Sequence, residues 1–116
     1  MKVLARSAIE DDETPYEPYT LDDGTPAGEV KLIRKRDDEG RTLFVGLYRC
    51  EHPVKGEHDY GDVNDAMWIL EGEARVWTED GEEHHLTPGS FAVFRKGQIA
   101  RFEQSANFKK FFVMSQ

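Results

Sequence analysis

An all-β sandwich or barrel is the fold class that this sequence predicts, and three observations predict it. From Glu29 onward, short apolar or alternating runs follow one another, each bounded by Gly, Pro or Asp. Turn chemistry recurs between them, at Asp37-Asp38-Glu39-Gly40, Glu79-Asp80-Gly81-Glu82, Thr87-Pro88-Gly89-Ser90 and Lys96-Gly97. No stretch carries the 3.6-residue apolar period of a long amphipathic helix. With 116 residues the chain suits one domain, and an all-β chain this short must curl on itself or be covered to hide its strand edges.

The elements follow in order. Residues 1–28 read as an irregular arm, because Pro15, Pro18 and Pro26 interrupt it, acidic clusters occupy 10–13 and 22–23, and no period is sustained. Such an arm would order against the body or a partner subunit. Residues 29–116 form the single domain. Glu29 to Arg36 is its first strand, and Thr42 to Cys50 the next. His52 to Gly56, with Pro53, reads as a loop. Asp65 to Leu70 is almost wholly apolar, as in a strand covered on both faces, and Glu71-Gly72 turns the corner after it. Ala74, Val76 and Thr78 then alternate with Arg75 and Trp77. Asp80-Gly81 supplies the positive φ of a tight hairpin. Phe91 to Phe94, Ile99 to Phe102 and Phe108 to Met114 complete the set.

Charge and composition exclude several functions. Fifteen Lys and Arg stand against 23 Asp and Glu, a formal net charge of −8, which repels phosphate backbones and anionic membrane surfaces. The basic run Lys31, Arg34, Lys35, Arg36 is expected on the wet face or edge of its strand. No apolar run approaches the roughly 20 residues that span a bilayer, and Met1 to Arg6 lacks the apolar middle of a signal peptide. A cytoplasmic protein without nucleic-acid or membrane partners is the expectation. The single cysteine, Cys50, allows no internal disulfide and reads as a small side chain on a strand.

The chemistry concentrates in "GEHDYGDVNDAMWILEG", residues 56–72, where His58, Tyr60 and Asp65 precede a buried strand. The frame His58-x-Tyr60, four residues, Asp65, six residues, Gly72 resembles the first motif of the cupins, His-x-His, three or four residues, Glu, six residues, Gly. The frame Gly89, five residues, Arg95-x-Gly97, two residues, Ala100, three residues, Gln104 is similar to their second motif, in which a histidine stands where this chain has Ala100. The "LEGE", "EDGE" and "PGS" corners and the "FKKFFVMS" last strand narrow the likeness to small single-domain cupins of the ureidoglycine aminohydrolase type. The resemblance spans residues 42–114. It implies a double-stranded β-helix, or jelly-roll barrel, with a pocket for a small metabolite, a homodimer, and a metal-assisted release of ammonia as the nearest chemistry.

The residues leave that chemistry open. A metal in an oxygen and nitrogen site wants imidazoles and carboxylates converging on one point. Here the would-be ligands are His58 and Asp65. Tyr60 is a phenol of reference pKa about 10, and Ala100 offers nothing. The expectation therefore leans to no metal, with a divalent manganese, iron, nickel or zinc ion as the other possibility. Without metal, His58 is the general base, Tyr60 the acid and Asp65 the group that orients the imidazole, as in sugar isomerase and epimerase cupins. A non-catalytic binding or oligomerisation module is the remaining reading. Strand parity puts Gln98 and Gln104 on the side of Ala100, and Met67, Ile69 and Phe102 beside the trio as apolar wall. Lys110 is the cation placed near it. The expected substrate-binding residues are thus Met67, Gln98, Phe102 and Lys110. Glu57, Asp59 and Asp62 should face solvent. Trp68, Trp77, Phe91, Phe94, Phe111 and Phe112 are core or interface aromatics.

Overall fold

A computed structural model describes residues 9–116, so Met1 to Arg6 and the start of the expected arm lie outside the described residues. The fold is all-β, a jelly roll of two antiparallel sheets. The larger has six strands in the order β1-β2-β3-β10-β5-β8 and the smaller has four, β4-β9-β6-β7. These strands are β1 (Glu17–Thr20), β2 (Pro26–Arg36), β3 (Thr42–Cys50), β4 (Val54–Asp59), β5 (Asn64–Glu71), β6 (Ala74–Thr78), β7 (Glu83–Leu86), β8 (Phe91–Phe94), β9 (Ile99–Gln104) and β10 (Phe108–Ser115). The buried core includes Tyr48, Val54, Met67, Ile69, Val76, Phe94 and Phe112. It comes from alternate positions of strands in both sheets, as period-2 side-chain geometry requires.

The strand corners are where the turn residues stood in sequence. Gly81, Gly89 and Gly97 each take positive φ in open space. Gly72 takes φ 74° at the corner between β5 and β6, where a Cβ would meet the Phe108 backbone at 2.9 Å. That corner sets the phase of β5 and so decides which of its side chains face inward.

The structure departs from the sequence reading in four places. The irregular arm contains strand: β1 pairs with β2, Glu17 opposite Val30 and Pro18 opposite Glu29, and β2 begins at Pro26 rather than Glu29. Proline is tolerated on an edge strand, as Pro18 is in β1, and at the first residue of a strand, as Pro26 is in β2, so neither forbids what it appeared to interrupt. The 52–56 loop is half strand, because Val54 is buried and opposes Gln104. β7 was missed since Glu83, His84 and His85 are all exposed and show no alternation; pairing with β6 holds it. Finally, Lys31 is not on a wet face. It is 3% exposed, and its ammonium donates to the Glu10 and Asp12 carbonyls at 2.8 and 2.9 Å. Together with the Lys109–Glu10 ion pair and Arg49 stacked 3.5 Å from the Tyr16 ring, it straps residues 9–16 to the larger sheet.

Candidate functional site

A cavity of about 450 Å³ opens between the two sheets. Its wall is mostly apolar: Val30 and Leu32 from β2, Phe44 from β3, Met67 from β5, Val76 from β6, Phe94 from β8, Phe102 from β9, and Phe108, Phe112 and Met114 from β10. Polar groups gather in two places. Tyr48 and Gln104 join each other, the amide donating to the phenol oxygen at 2.8 Å. His58, Tyr60, Asp65 and Lys110 form the second group.

Each member of that second group is placed by its strand. His58 points inward from β4 opposite Ala100 of β9. Tyr60 follows β4 in a turn, its N–H donating to the Gln98 carbonyl at 3.0 Å. Its ring stacks on Phe94 at 5.0 Å and lies 4.4 Å from the His58 ring. Asp65 opens β5 between Phe94 and Met114. Lys110 sits farther along β10, opposite Tyr48 and Ile69, and extends past Met67, whose sulfur is 3.9 Å from its Nζ.

Electrostatics push all four toward their uncharged forms. Asp65 is 1% exposed, and its Oδ1 has no hydrogen-bond partner. Burial raises its carboxyl, an effect that Lys110, His58 and the hydrogen-bonding hydroxyl of Tyr60 only partly offset. Burial lowers the Lys110 amine, with Asp65 pulling the other way. Burial, then the Lys110 charge, lowers His58. Burial and Asp65 raise the Tyr60 phenol. At neutral pH the imidazole is thus a free base and the phenol a proton donor, as general acid–base chemistry needs.

Of the residues expected to bind substrate, Met67, Phe102 and Lys110 line the cavity beside His58, Tyr60 and Asp65, and Gln98 does not. Gln98 precedes β9 in a turn, where its side-chain oxygen caps the Arg95 N–H at 2.8 Å. Strand parity cannot be counted through a turn. Gln104 lines the cavity instead. Ile69 is fully buried but stands outside the cavity wall. Glu57, Asp59 and Asp62 are exposed as expected. Sequence reasoning missed Tyr19 and Leu21, which close the cavity from the β1–β2 hairpin. Tyr19 meets Tyr48 edge-on at 6.1 Å. Their only signal was the two-residue spacing of Tyr19 and Leu21, too short to count as alternation. Asp65 does not hydrogen-bond the imidazole as anticipated, and its neighbour is the Tyr60 hydroxyl.

The residues do not fit a resident metal. Among the described residues no group of three His, Cys, Asp or Glu could hold one. The position opposite His58 is Ala100, Tyr60 stays protonated, and the Lys110 amine on the same wall repels a cation when protonated.

A double-stranded barrel with its pocket between the sheets defines a cupin. The chain belongs to the EutQ-like cupin domain family, whose pattern matches residues 50–112, more than half of it. It is similar to a DUF861 family protein from Thermotoga maritima, at 27% identity and TM-score 0.51 over 57% of this chain and 73% of that one. It is also similar in fold to KdgF from Halomonas sp., at 18% identity and TM-score 0.68 over 90% of each chain. A putative ethanolamine utilization protein Q from Salmonella typhimurium matches at 15% identity and TM-score 0.57, covering 87% of this chain and 94% of that one. No curated protein matches the sequence. Among the described residues no helix is long and apolar enough to cross a membrane.

Proposed function

We propose that this cupin binds a small metabolite in its barrel and moves a proton on it without a metal. The carrying observation is the Asp65 carboxyl, buried at 1% exposure with an unpartnered oxygen, in a cavity that also holds His58, Tyr60 and Lys110. An orphaned buried acceptor costs on the order of 1–3 kcal/mol, so a chain that keeps one gains from a ligand donor that satisfies it. The apolar wall takes the body of the ligand and the polar cluster its reactive end, a common pattern of small-molecule sites.

In this reading the neutral His58 imidazole accepts a proton from the ligand, and the Tyr60 hydroxyl donates one. Asp65 holds that hydroxyl and sets the local field. The chemistry is of the kind used by metal-free isomerase and epimerase cupins. Metal-assisted ammonia release of the ureidoglycine aminohydrolase kind has less support, because Ala100 and Tyr60 replace two imidazoles. Carbon-bound hydrogen exchange tests the proposal. With a bound small carbonyl or sugar ligand in deuterium oxide, wild type should wash in deuterium, and His58→Ala should be slower by about 10²–10⁴-fold while still binding. Equal rates would remove His58 as the base and leave a binding module.

The partner we assign is a second copy of the chain, in a cytoplasmic setting. Trp68, Phe91 and Val93 are 51%, 64% and 59% exposed, with Trp68 directly opposite Phe91 on neighbouring strands, on the outer face of the larger sheet. Large exposed aromatics in one cluster mark an interface. Phe91→Glu is expected to convert a dimer to a monomer in light scattering at micromolar concentration, with the fold intact. An unchanged mass would place the interface elsewhere.

A further inference from the structure

Among the described residues, Lys110 is the one lysine or arginine on the cavity wall. The proposed proton transfer does not use it, and its surroundings are not those of a lysine that serves as a fixed cation. Its Nζ lies 3.9 Å from the Met67 sulfur, 5.4 Å from the centre of the Tyr48 ring and 5.9 Å from that of Phe112. No ion pair joins it to Asp65 among the described residues, although the two share the cavity and feel each other's charge. The amine and the carboxyl therefore both face the cavity without being paired with each other. An amine in an apolar pocket with an acid across a gap is the arrangement that activates lysine as a nucleophile toward carbonyl carbon.

We propose that Lys110 forms an imine with an uncharged aldehyde or ketone bearing an apolar tail, held between Lys110 and the Asp65–Tyr60 pair. This rests on the acid–base reading above and names its substrate class. The Nζ lone pair forms a bond to the carbonyl carbon while the C=O π pair takes a proton from the Asp65 carboxyl, giving a carbinolamine. Nitrogen returns a proton to the Asp65 carboxylate. The hydroxyl then leaves as water with a proton from the same carboxyl, which gives the protonated imine and the Asp65 carboxylate. Amine, carbonyl and one carboxyl proton thus give iminium, carboxylate and water, with no oxidant or reductant. The iminium in turn acidifies the adjacent C–H, whose proton passes to the free His58 imidazole.

The wall also sets the charge of the substrate. Once Lys110 is bonded, the iminium and the Asp65 carboxylate offset each other, and Glu17 is the other carboxyl on the wall. A keto acid would add a carboxylate with no further lysine or arginine on the wall among the described residues, at a desolvation cost. The apolar wall accepts an alkyl or aryl tail.

The test uses wild-type chain with butanal, benzaldehyde or 2-oxobutanoate and cyanoborohydride, which fixes imines as secondary amines. Peptide mapping then reads each lysine. Lys110 should be alkylated by butanal or benzaldehyde at least about tenfold faster than any exposed lysine, since burial lowers its amine and the free amine is the form that attacks a carbonyl. It should react at least about tenfold more slowly with 2-oxobutanoate. Lys110→Gln should lose this labelling and deuterium wash-in together, and His58→Ala should keep the labelling and lose the wash-in. Even labelling across all lysines would overturn the imine. If wash-in persisted in that case, the acid–base reading would stand without it; if wash-in were absent too, both would fall.

Discussion

Gly28→Ala is expected to cost more than about 4 kcal/mol, enough to unfold a domain of ordinary stability. Gly28 has φ +83°, and a Cβ there would sit 2.2 Å from the Arg49 carbonyl oxygen and 2.7 Å from the Cys50 Cβ. The first of these is backbone and cannot rotate away, so β2 would have to retreat from β3. β2 carries β1 by antiparallel pairing, and β1 brings Tyr19 to the cavity mouth. The damage should therefore reach ligand binding in any molecules that still fold. Gly24→Ala is the control. Its φ is +86°, but nothing lies within 4 Å of the new Cβ, so it bears only the left-handed penalty of about 1–2 kcal/mol. Urea unfolding of the two variants side by side reads the difference. Equal losses would mean that β2 and β3 pack less closely at Gly28 than described.

Asp65→Asn should make the protein more stable, increasingly so as pH rises, while abolishing its proton chemistry. Burial holds the Asp65 carboxyl above its ordinary value, so the folded chain binds that proton more tightly than the unfolded one. Below about pH 3.9, the reference value for an unfolded aspartate, both states carry the proton and its ionisation costs nothing. Above that value the unfolded chain ionises first, and stability falls until the pH has passed the raised folded value. An amide mimics the protonated form at every pH. The gain of Asp65→Asn over wild type should thus be near zero at about pH 4 and on the order of 1–3 kcal/mol at pH 8. His58 and Lys110 also titrate in this cavity, both held low by burial while Asp65 pulls each upward, so the difference between the two profiles reads the carboxyl together with its coupling to them. Urea midpoints at several pH values measure it. A variant that loses stability with rising pH relative to wild type would mean that Asp65 is ionised and well paired. Stability given up at a reactive carboxyl is a familiar trade with activity.

The path from residues to site was uneven. The second half of the chain could be read because its corners carry glycine and its strands alternate, as at Gly72, Gly81, Gly89 and Gly97. That was enough to align His58, Tyr60 and Asp65 with a known frame and to put Met67, Phe102 and Lys110 near them. Gln98 failed because one turn residue changes the parity of a strand end. Lys31 failed because a lysine looks solvated unless its acceptors are known, and these are backbone carbonyls of residues about 20 positions earlier. β1 failed because four residues that include Pro18 bear no period of their own; their strand geometry exists only against β2.

By itself, then, the sequence determined the all-β class, the corners, the family frame and the loss of a metal ligand at Ala100, because each of these is local: a turn glycine, a two-residue period, a missing imidazole. The tertiary structure alone decided that the Asp65 oxygen is orphaned, that Lys110 meets a thioether and aromatic faces rather than a carboxylate, and that the β1–β2 hairpin closes the cavity. Burial and distance between strands far apart in sequence set the state of an ionisable group, and no spacing along the chain encodes them.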